Sequence, residues 1–334
     1  MWIAVGSVAS ASVARSHVEV ETLVEGLIEL VREHYVLPER CEAIETRLRE
    51  GLRNGKYSAA KDPQELSNRI TADLRESSDD LHFGIRPKPP TAPPHSPNQS
   101  TTAAGEPSTV SPPLVSGLGR VETMPGEIAY IEIVAFPDPV RGAAAIDEAF
   151  RRLADTRAMI LDLRQSRGGH PGMVAHLLSY FFAGEPFLFN RLEWPASGKT
   201  LEFETVADLP SPRYTNRPVF ILTGRSTPSA AEGFSYHMKH LGRATLLGER
   251  TAGAAHLSQV FELGEFQIAI PTGRPISPVT GGNWEGTGVV PDYEVPADQA
   301  LERALELAAN EARKSRGEDK GLSRDPETSG PALR

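Results

Sequence analysis

Apolar residues repeat at helical spacing along three stretches near the start of the chain. They predict helices over about 18–36, 38–54 and 62–77, of which the first ends at Pro38. The third opens with Asp62-Pro63-Gln64-Glu65, which is typical of a capped helix start. Three short amphipathic helices predict a small N-terminal bundle. A turn and a short strand follow over 78–85.

Strand-like and helix-like patterns alternate from residue 116 onward. Short apolar or alternating runs predict strands, and wider apolar stripes predict helices between them. Strands are predicted over 117–124, 127–134, 158–163, 187–194, 201–206, 219–222, 245–248, 257–263 and 266–270, and helices over about 140–155, 173–181, 228–241 and 298–313. This alternation indicates an α/β layered core.

Two of the predicted strands run straight into a turn and a helix. One turn contains Gly168 and Gly169, and the other leads to Ser229. If the two strands run parallel, both turns lie at the same edge of the sheet.

Three segments fall outside these patterns. Nine of the 28 prolines lie within 87–115, mixed with small polar residues, which predicts a disordered linker or loop. Residues 1–17 and 314–334 are expected to be a frayed start and a free tail. The predicted domains are therefore a helical subdomain over 18–86 and a core over 116–313.

Composition narrows the classes of function. The 334 residues carry a net charge of -9, which argues against nucleic acid or an anionic membrane as the main partner. The single cysteine, Cys41, excludes an intrachain disulfide framework and a CxxC zinc site. The first residues lack a basic n-region and no stretch is long and apolar enough to span a membrane, so we expect a cytoplasmic protein.

The stretch Arg217–Leu241 carries the strongest chemical signal. A buried strand feeds a helix that begins near Ser229, so the serine hydroxyl would lie beside unpaired N–H groups and the positive end of a helix dipole. Ser229 followed by Glu232 also fits a capping box, and Thr227-Pro228 fits an N-cap and first helical position. The local pattern alone leaves both roles open.

A serine nucleophile needs a base and donors for the oxyanion. The N–H of Ala230 and the turn Gly168-Gly169 are candidate donors, although a glycine pair is also typical of an ordinary tight turn. Composition does not choose the base, and Glu285 is either an orienting carboxylate or a loop residue. The histidines considered are His82, His237, His240 and His256, of which the second and third lie too far along the Ser229 helix.

Four segments together resemble the tail-specific (C-terminal processing) protease family of serine peptidases, in the branch related to tricorn protease and interphotoreceptor retinoid-binding protein. They are LDLRQSRGG (161–169), LTGRSTPSAAEGF (222–234), GRATLLGERTAGAAH (242–256) and EGTGVVPD (285–292). The helices before SDDLHFGI (78–85) also resemble that branch's N-terminal bundle and its histidine-bearing turn.

The resemblance implies a crotonase/Clp-like ββα core behind an N-terminal helical bundle. It implies that Ser229 is the nucleophile, that His82 is the general base and that Glu285 is the acidic member of the charge relay. It implies an oxyanion hole formed by Ala230 with Gly168 and Gly169. The expected reaction is hydrolysis of a peptide or protein substrate without a metal or cofactor, and a homo-oligomer is compatible with this prediction.

The chain departs from the family at three places. Typical members use a Ser–Lys dyad, but the corresponding stretch here is 251–255 and holds no lysine, and Lys239 lies on the wrong part of its helix. Leu81 stands where tricorn has a serine before its histidine, and Ser78 is the only substitute considered. The interval 86–116 is too short for a PDZ domain and has the wrong composition.

Two other functions compete with the peptidase hypothesis. Retinoid-binding relatives use this fold to carry apolar ligands, and an inactive peptide-binding scaffold would lack turnover altogether. Five aromatic residues are candidates for lining an apolar pocket, although packing in the core is the expected use of such residues. They are Phe181, Phe182, Phe187, Phe189 and Trp194.

Overall fold

The computed structural model describes residues 17–89 and 116–322, and this part of the chain divides into two compact units. The first unit takes in 17–89, 192–201 and 256–275, and the second takes in 116–191, 202–255 and 276–322. The helices are α1 His17–His34, α2 Cys41–Arg53, α3 Pro63–Ser78, α4 Pro139–Arg152, α5 Pro171–Ser179, α6 Ala230–His240 and α7 Ala300–Leu322, with a 3₁₀ turn at Pro38–Arg40. The strands are β1 Gly84–Pro87, β2 Leu118–Met124, β3 Ile128–Ile133, β4 Ala158–Asp162, β5 Leu188–Trp194, β6 Lys199–Glu204, β7 Val219–Thr223, β8 Thr245–Gly248, β9 Leu257–Leu263, β10 Phe266–Ile276 and β11 Tyr293–Glu294.

The first unit contains the three predicted helices, and α3 begins as its sequence indicates. The Asp62 side chain caps α3 by accepting a hydrogen bond from the Glu65 N–H. The apolar stripes of the helices are buried together, with Leu27, Ile44 and Ile70 fully enclosed. Burial of these stripes is the main stabilising term for helices of this length.

The first unit is not only helical, so the prediction of a purely N-terminal subdomain over 18–86 is incomplete. β1 and β9 both pair antiparallel with β10, and the sheet also takes in the ends of β5 and β6. Ile268 and Ile270 of β10 share one core with the three helices. The helices need an apolar partner surface, and distant parts of the chain supply it.

The second unit is built on a six-stranded sheet in the order β11–β8–β7–β4–β3–β2. β3, β4, β7, β8 and β11 run parallel, and β2 pairs antiparallel with β3 through the predicted hairpin. Because β4 and β7 are parallel neighbours, the turns after them lie at the same edge, as predicted. The mixed α/β class is confirmed.

Alternating residues of these strands face two different helical layers. Met159, Leu161 and Ile221 pack into a core with α4, α5 and α6. Ile160 and Leu222 pack on the opposite face with Ala304 of α7. Both faces are therefore covered, which explains why the parallel strands read as continuous apolar runs.

Two predicted boundaries need correction. Pro87 still pairs with Phe266, and the Lys88 N–H donates to Glu265 O at 2.7 Å, so the strand extends beyond the predicted start of the linker. α7 continues to Leu322, so the free tail does not begin at 314. The added residues include Gly317 and Gly321, each of which costs a helix about 1 kcal/mol, but most of the others are good helix formers.

The remaining predicted segments, 1–16, 90–115 and 323–334, lie outside the described residues. Within 17–89 and 116–322, no helix has the length and apolar character needed to cross a membrane.

Candidate active site

Ser229 occupies the strained turn between β7 and α6. Its backbone has φ 54° and ψ -122°, a conformation that non-glycine residues rarely adopt and that costs about 1–3 kcal/mol. The residue is half-buried and directly precedes the first turn of α6. A strand-to-helix turn of this kind presents a serine hydroxyl at the edge of a sheet.

The carboxylate of Glu232 stabilises this turn by accepting hydrogen bonds from it and from a neighbouring loop. Its Oε2 accepts the Ser229 N–H at 2.8 Å, the backbone half of the predicted capping box. The same oxygen accepts the Ala254 N–H at 2.9 Å, while Oε1 accepts from Thr251 Oγ1 and from the Gly253 N–H, both at 2.6 Å. Burial raises the pKa of Glu232, and the four donated hydrogen bonds oppose that rise.

Thr227 is not the helix N-cap, so that alternative is wrong. Its hydroxyl accepts the Gly224 N–H and donates to Leu163 O, both at 3.0 Å. It therefore ties the turn to the end of β4, and the cap position falls to Ser229.

Gly168 lies directly against the proposed nucleophile. A Cβ at Gly168 would be 2.9 Å from Pro228 O, 3.0 Å from Ser229 Cβ and 3.4 Å from the Ala230 nitrogen. The structure therefore brings together Ser229 and two of the three predicted oxyanion-hole residues. Only glycine allows this approach, because Gly168 also has φ +70°.

Gly169 is placed differently. A Cβ at Gly169 would collide with the backbone of Phe136. Gly169 and Phe136 form an isolated parallel β-bridge. The Phe136 N–H donates to Gly168 O at 2.8 Å. Gly169 thus packs the turn against Phe136, and Gly168 packs against Ser229.

Glu285 contacts the loop that follows β8. Its Oε2 accepts the Ala255 N–H at 2.6 Å, and the Gly286 N–H donates to Gly253 O at 2.9 Å. Glu285 and Glu232 therefore both accept hydrogen bonds from the stretch 251–255. This stretch holds no lysine.

The basic residues farther along α6 contact groups other than Ser229. Lys239 Nζ donates to Val290 O at 2.7 Å and lies 2.8 Å from Asp292 Oδ1. The His237 side chain is buried, and burial lowers its pKa to about 3. His240 lies exposed at the end of the helix against Tyr236. These positions agree with their exclusion as bases.

His82 is held by a carboxylate in its own turn. α3 ends at Ser78, and the next residue, Asp79, has a left-handed backbone conformation that begins the turn. Asp80 Oδ1 accepts the His82 N–H at 2.9 Å and lies 3.4 Å from His82 Nδ1. Ser78 Oγ accepts the Asp80 N–H at 3.2 Å and donates to Leu74 O, so Ser78 supports Asp80.

Asp80 also binds a second histidine, which the sequence interpretation did not connect with it. His256 Nδ1 lies 2.7 Å from Asp80 Oδ2, and both side chains are buried. Burial alone would raise the pKa of Asp80, but hydrogen bonds with His256 and His82 outweigh it and hold this pKa well below its ordinary value. The Asp-x-His spacing was a signal for the first contact; nothing local signals the second.

The aromatic residues proposed to line an apolar pocket are used in packing. Phe181 and Phe189 are buried in the core of the second unit, with Phe182 and Phe187 packed against it. Trp194 lies in the first unit against Gly273, where a Cβ would be 2.7 Å from the indole Nε1. Core packing, the expected use of these residues, is what the structure shows for the four phenylalanines.

Curated relatives and solved structures resemble this chain at low identity. Carboxyl-terminal-processing peptidase 1 (chloroplastic) of Arabidopsis thaliana is 27% identical over 197 residues, which cover 57% of this chain and 38% of that protein. Its peptidase 2 counterpart is 25% identical over 173 residues, which cover 51% and 32%. The chain therefore matches well under half the length of these relatives.

Three solved structures share the fold. A protein from Parabacteroides merdae has a TM-score of 0.61 at 17% identity, with 86% of this chain and 96% of that chain covered. A lipoprotein from Streptococcus agalactiae has a TM-score of 0.55 at 18% identity, with 87% and 96% covered. The tricorn protease has a TM-score of 0.53 at 14% identity, with 89% of this chain and 37% of tricorn covered.

Family models account for most of the chain. The N-terminal domain of the S41 peptidases in eukaryotic IRBP matches residues 8–116. The model of peptidase family S41 matches residues 127–295, about half of the chain and the segment that carries Ser229 and Glu285. The protein is therefore a member of peptidase family S41.

Proposed function

We propose that this protein is a serine peptidase in which Ser229 is the nucleophile and His82 is the general base. The observation that carries the proposal is the backbone of Ser229: a strained strand-to-helix turn with Gly168 and the Ala230 nitrogen packed beside it. Strain at a single polar residue, maintained by a dedicated buried carboxylate, is typical of a functional site.

The proposed reaction follows the acyl-enzyme route. His82 Nε2 takes the proton of Ser229 Oγ as that oxygen attacks the peptide carbonyl, and then returns the proton to the leaving amine. The N–H groups of Ala230 and of the Gly168 turn donate to the oxyanion. Water, with its proton taken by His82, then attacks the acyl carbon; the bond to Ser229 Oγ breaks, the acid product leaves, and His82 returns the proton to Ser229 Oγ.

Asp80 supports the base role of His82. Contact with Nδ1 favours the tautomer in which Nε2 is the acceptor, which is the form a general base needs. Glu285 stays a prediction as the acidic relay member. Its Oε2 accepts a hydrogen bond from the Ala255 N–H in the second unit.

The activity is tested by incubating the full chain with a complex peptide mixture and identifying new termini by mass spectrometry. We expect new termini with wild type and with Ser226→Ala, and none with Ser229→Ala. Ser226 is a matched control because it is an exposed serine of the same turn. Equal products from Ser229→Ala would identify a contaminant. No products from folded wild type would overturn the proposal in favour of a ligand-binding protein or inactive scaffold.

A further inference from the structure

One carboxylate in the first unit is placed between two imidazoles. Asp80 is 1% exposed, with His82 Nδ1 3.4 Å from Oδ1 and His256 Nδ1 2.7 Å from Oδ2. The Tyr35 hydroxyl lies 3.4 Å from Oδ2 as well. The two imidazole rings are 6.5 Å apart between centroids, so they interact through the carboxylate and not by stacking.

The two histidines differ in access to solvent. The His82 side chain is 19% exposed, whereas that of His256 is 2% exposed. His82 is therefore the more accessible of the two imidazoles. His256 is enclosed and meets Asp80 at the shorter of the two distances.

The sheet of the first unit explains how residues so far apart in sequence meet. His256 directly precedes β9, which pairs with β10, and β10 pairs with β1 directly after the His82 turn. Ser258 of β9 donates from Oγ to His82 O at 3.2 Å. His256 thus contacts the Asp80 carboxylate of the turn that carries His82, and Ser258 contacts the backbone of that turn.

We propose that His256 is a positioning residue for the base of the proposed peptidase reaction. By donating its Nδ1–H to Asp80 Oδ2, it fixes the carboxylate so that Oδ1 faces His82 Nδ1. This orientation holds His82 as the Nδ1–H tautomer and leaves Nε2 as the proton acceptor. The inference rests on the proposed function, since it assigns His256 a role through His82.

Two substitutions separate positioning from simple packing. His256→Phe keeps a ring of similar size but removes the donor nitrogen. His256→Asn places an amide nitrogen close to the position of Nδ1 and so retains a donor. His34→Phe is the control, because His34 belongs to the same unit and stacks on Phe261 away from Asp80.

The kinetic readout is fluorophosphonate labelling, with the maximal rate and the half-saturating concentration measured separately. We expect His256→Phe to lower the maximal rate by about tenfold or more with little change in the half-saturating concentration. His256→Asn should recover most of the rate, and His34→Phe should match wild type. A wild-type rate in His256→Phe would overturn the inference.

A second readout does not depend on activity, so failure of the inference can be told from failure of the proposed function. The ¹⁵N chemical shifts of the His82 imidazole report its tautomer in the full chain. We expect one dominant Nδ1–H form in wild type and a mixture in His256→Phe. An unchanged His82 spectrum would overturn the positioning role, whereas a folded wild type that never labels would overturn the peptidase proposal alone.

Discussion

The backbone N–H of Ser229 donates to the buried carboxylate of Glu232 over 2.8 Å. This contact joins the first turn of α6 to the loop 251–254, because the same carboxylate accepts three more hydrogen bonds from that loop. A residue with φ 54° needs such support, since its strain persists only where the surrounding structure fixes it. Glu232 is therefore expected to control both the stability of the turn and the reactivity of Ser229.

Glu232→Gln should destabilise the protein and slow labelling of Ser229. The amide offers one acceptor oxygen, so two of the four donors lose their partner in either orientation. Each buried unsatisfied donor costs about 1–3 kcal/mol, and we expect the free energy of unfolding to fall by about 3 kcal/mol. Urea titration measures this change. Thr251→Val removes one donor to Glu232 and also leaves the Val289 N–H without the Oγ1 acceptor that it contacts at 2.7 Å, so it should cost about 2 kcal/mol. A larger loss from Thr251→Val than from Glu232→Gln would contradict the account.

Gly168→Ala should abolish labelling of Ser229. The added Cβ would lie 3.0 Å from Ser229 Cβ and 2.9 Å from Pro228 O, so the turn must move. Gly242→Ala is the matched control: Gly242 has φ +65° and nothing within 4 Å of a built Cβ. Both variants should lose about 1–2 kcal/mol from backbone strain. If Gly168→Ala labels as fast as Gly242→Ala, close approach to Ser229 is not required.

His237→Phe should remove a pH dependence of stability. Burial lowers the pKa of His237 to about 3, below the ordinary histidine value of about 6.5. Between these values the unfolded chain binds a proton that the folded chain does not, so the free energy of unfolding falls as pH decreases. Relative to His237→Phe, wild type should lose about 2 kcal/mol between pH 7.5 and 5. The exposed His240→Gln should change this slope much less, and an identical slope in His237→Phe would contradict the assignment.

Asp80→Asn should alter stability at acid pH. The pKa of Asp80 is held below its ordinary value of about 3.9, so its contribution is present above that pH and is lost as pH falls further. The variant should be less stable than wild type at pH 6, and the gap should narrow below pH 4. Denaturant titration across this range measures it, with the neighbouring exposed Asp79→Asn as control. A gap independent of pH would show that the charge is not the stabilising feature.

Local patterns were sufficient for most elements of the fold. The apolar periods of α1 and α3, and the continuous runs of β4 and β7, reflect burial on one or both faces. The length of α7 was underestimated, because a charged sequence with two glycines is compatible with either a helix or a tail. The pairing of β9 and β10 with the helical unit depends on long-range packing, which no local pattern encodes.

The candidate site was only partly predictable for the same reason. The strand-to-helix turn at Ser229 follows from local residue types. The closeness of Gly168 to this turn follows from the expected parallel pairing of the two strands. The contact between Asp80 and His256 joins residues 176 positions apart, and no local pattern links the two. Glu232 was interpreted as a helix cap, while its hydrogen bonds to Thr251, Gly253 and Ala254 became visible only in three dimensions.

The central claim is that Ser229 is the nucleophile and that His82 is its general base. Fluorophosphonate labelling followed by mapping of the modified residue tests it most directly. The account predicts an adduct on Ser229 in wild type and in Ser226→Ala, none in Ser229→Ala, and labelling slower by about a hundredfold or more in His82→Ala. A folded wild type without an adduct, or His82→Ala labelled at the wild-type rate, would contradict it.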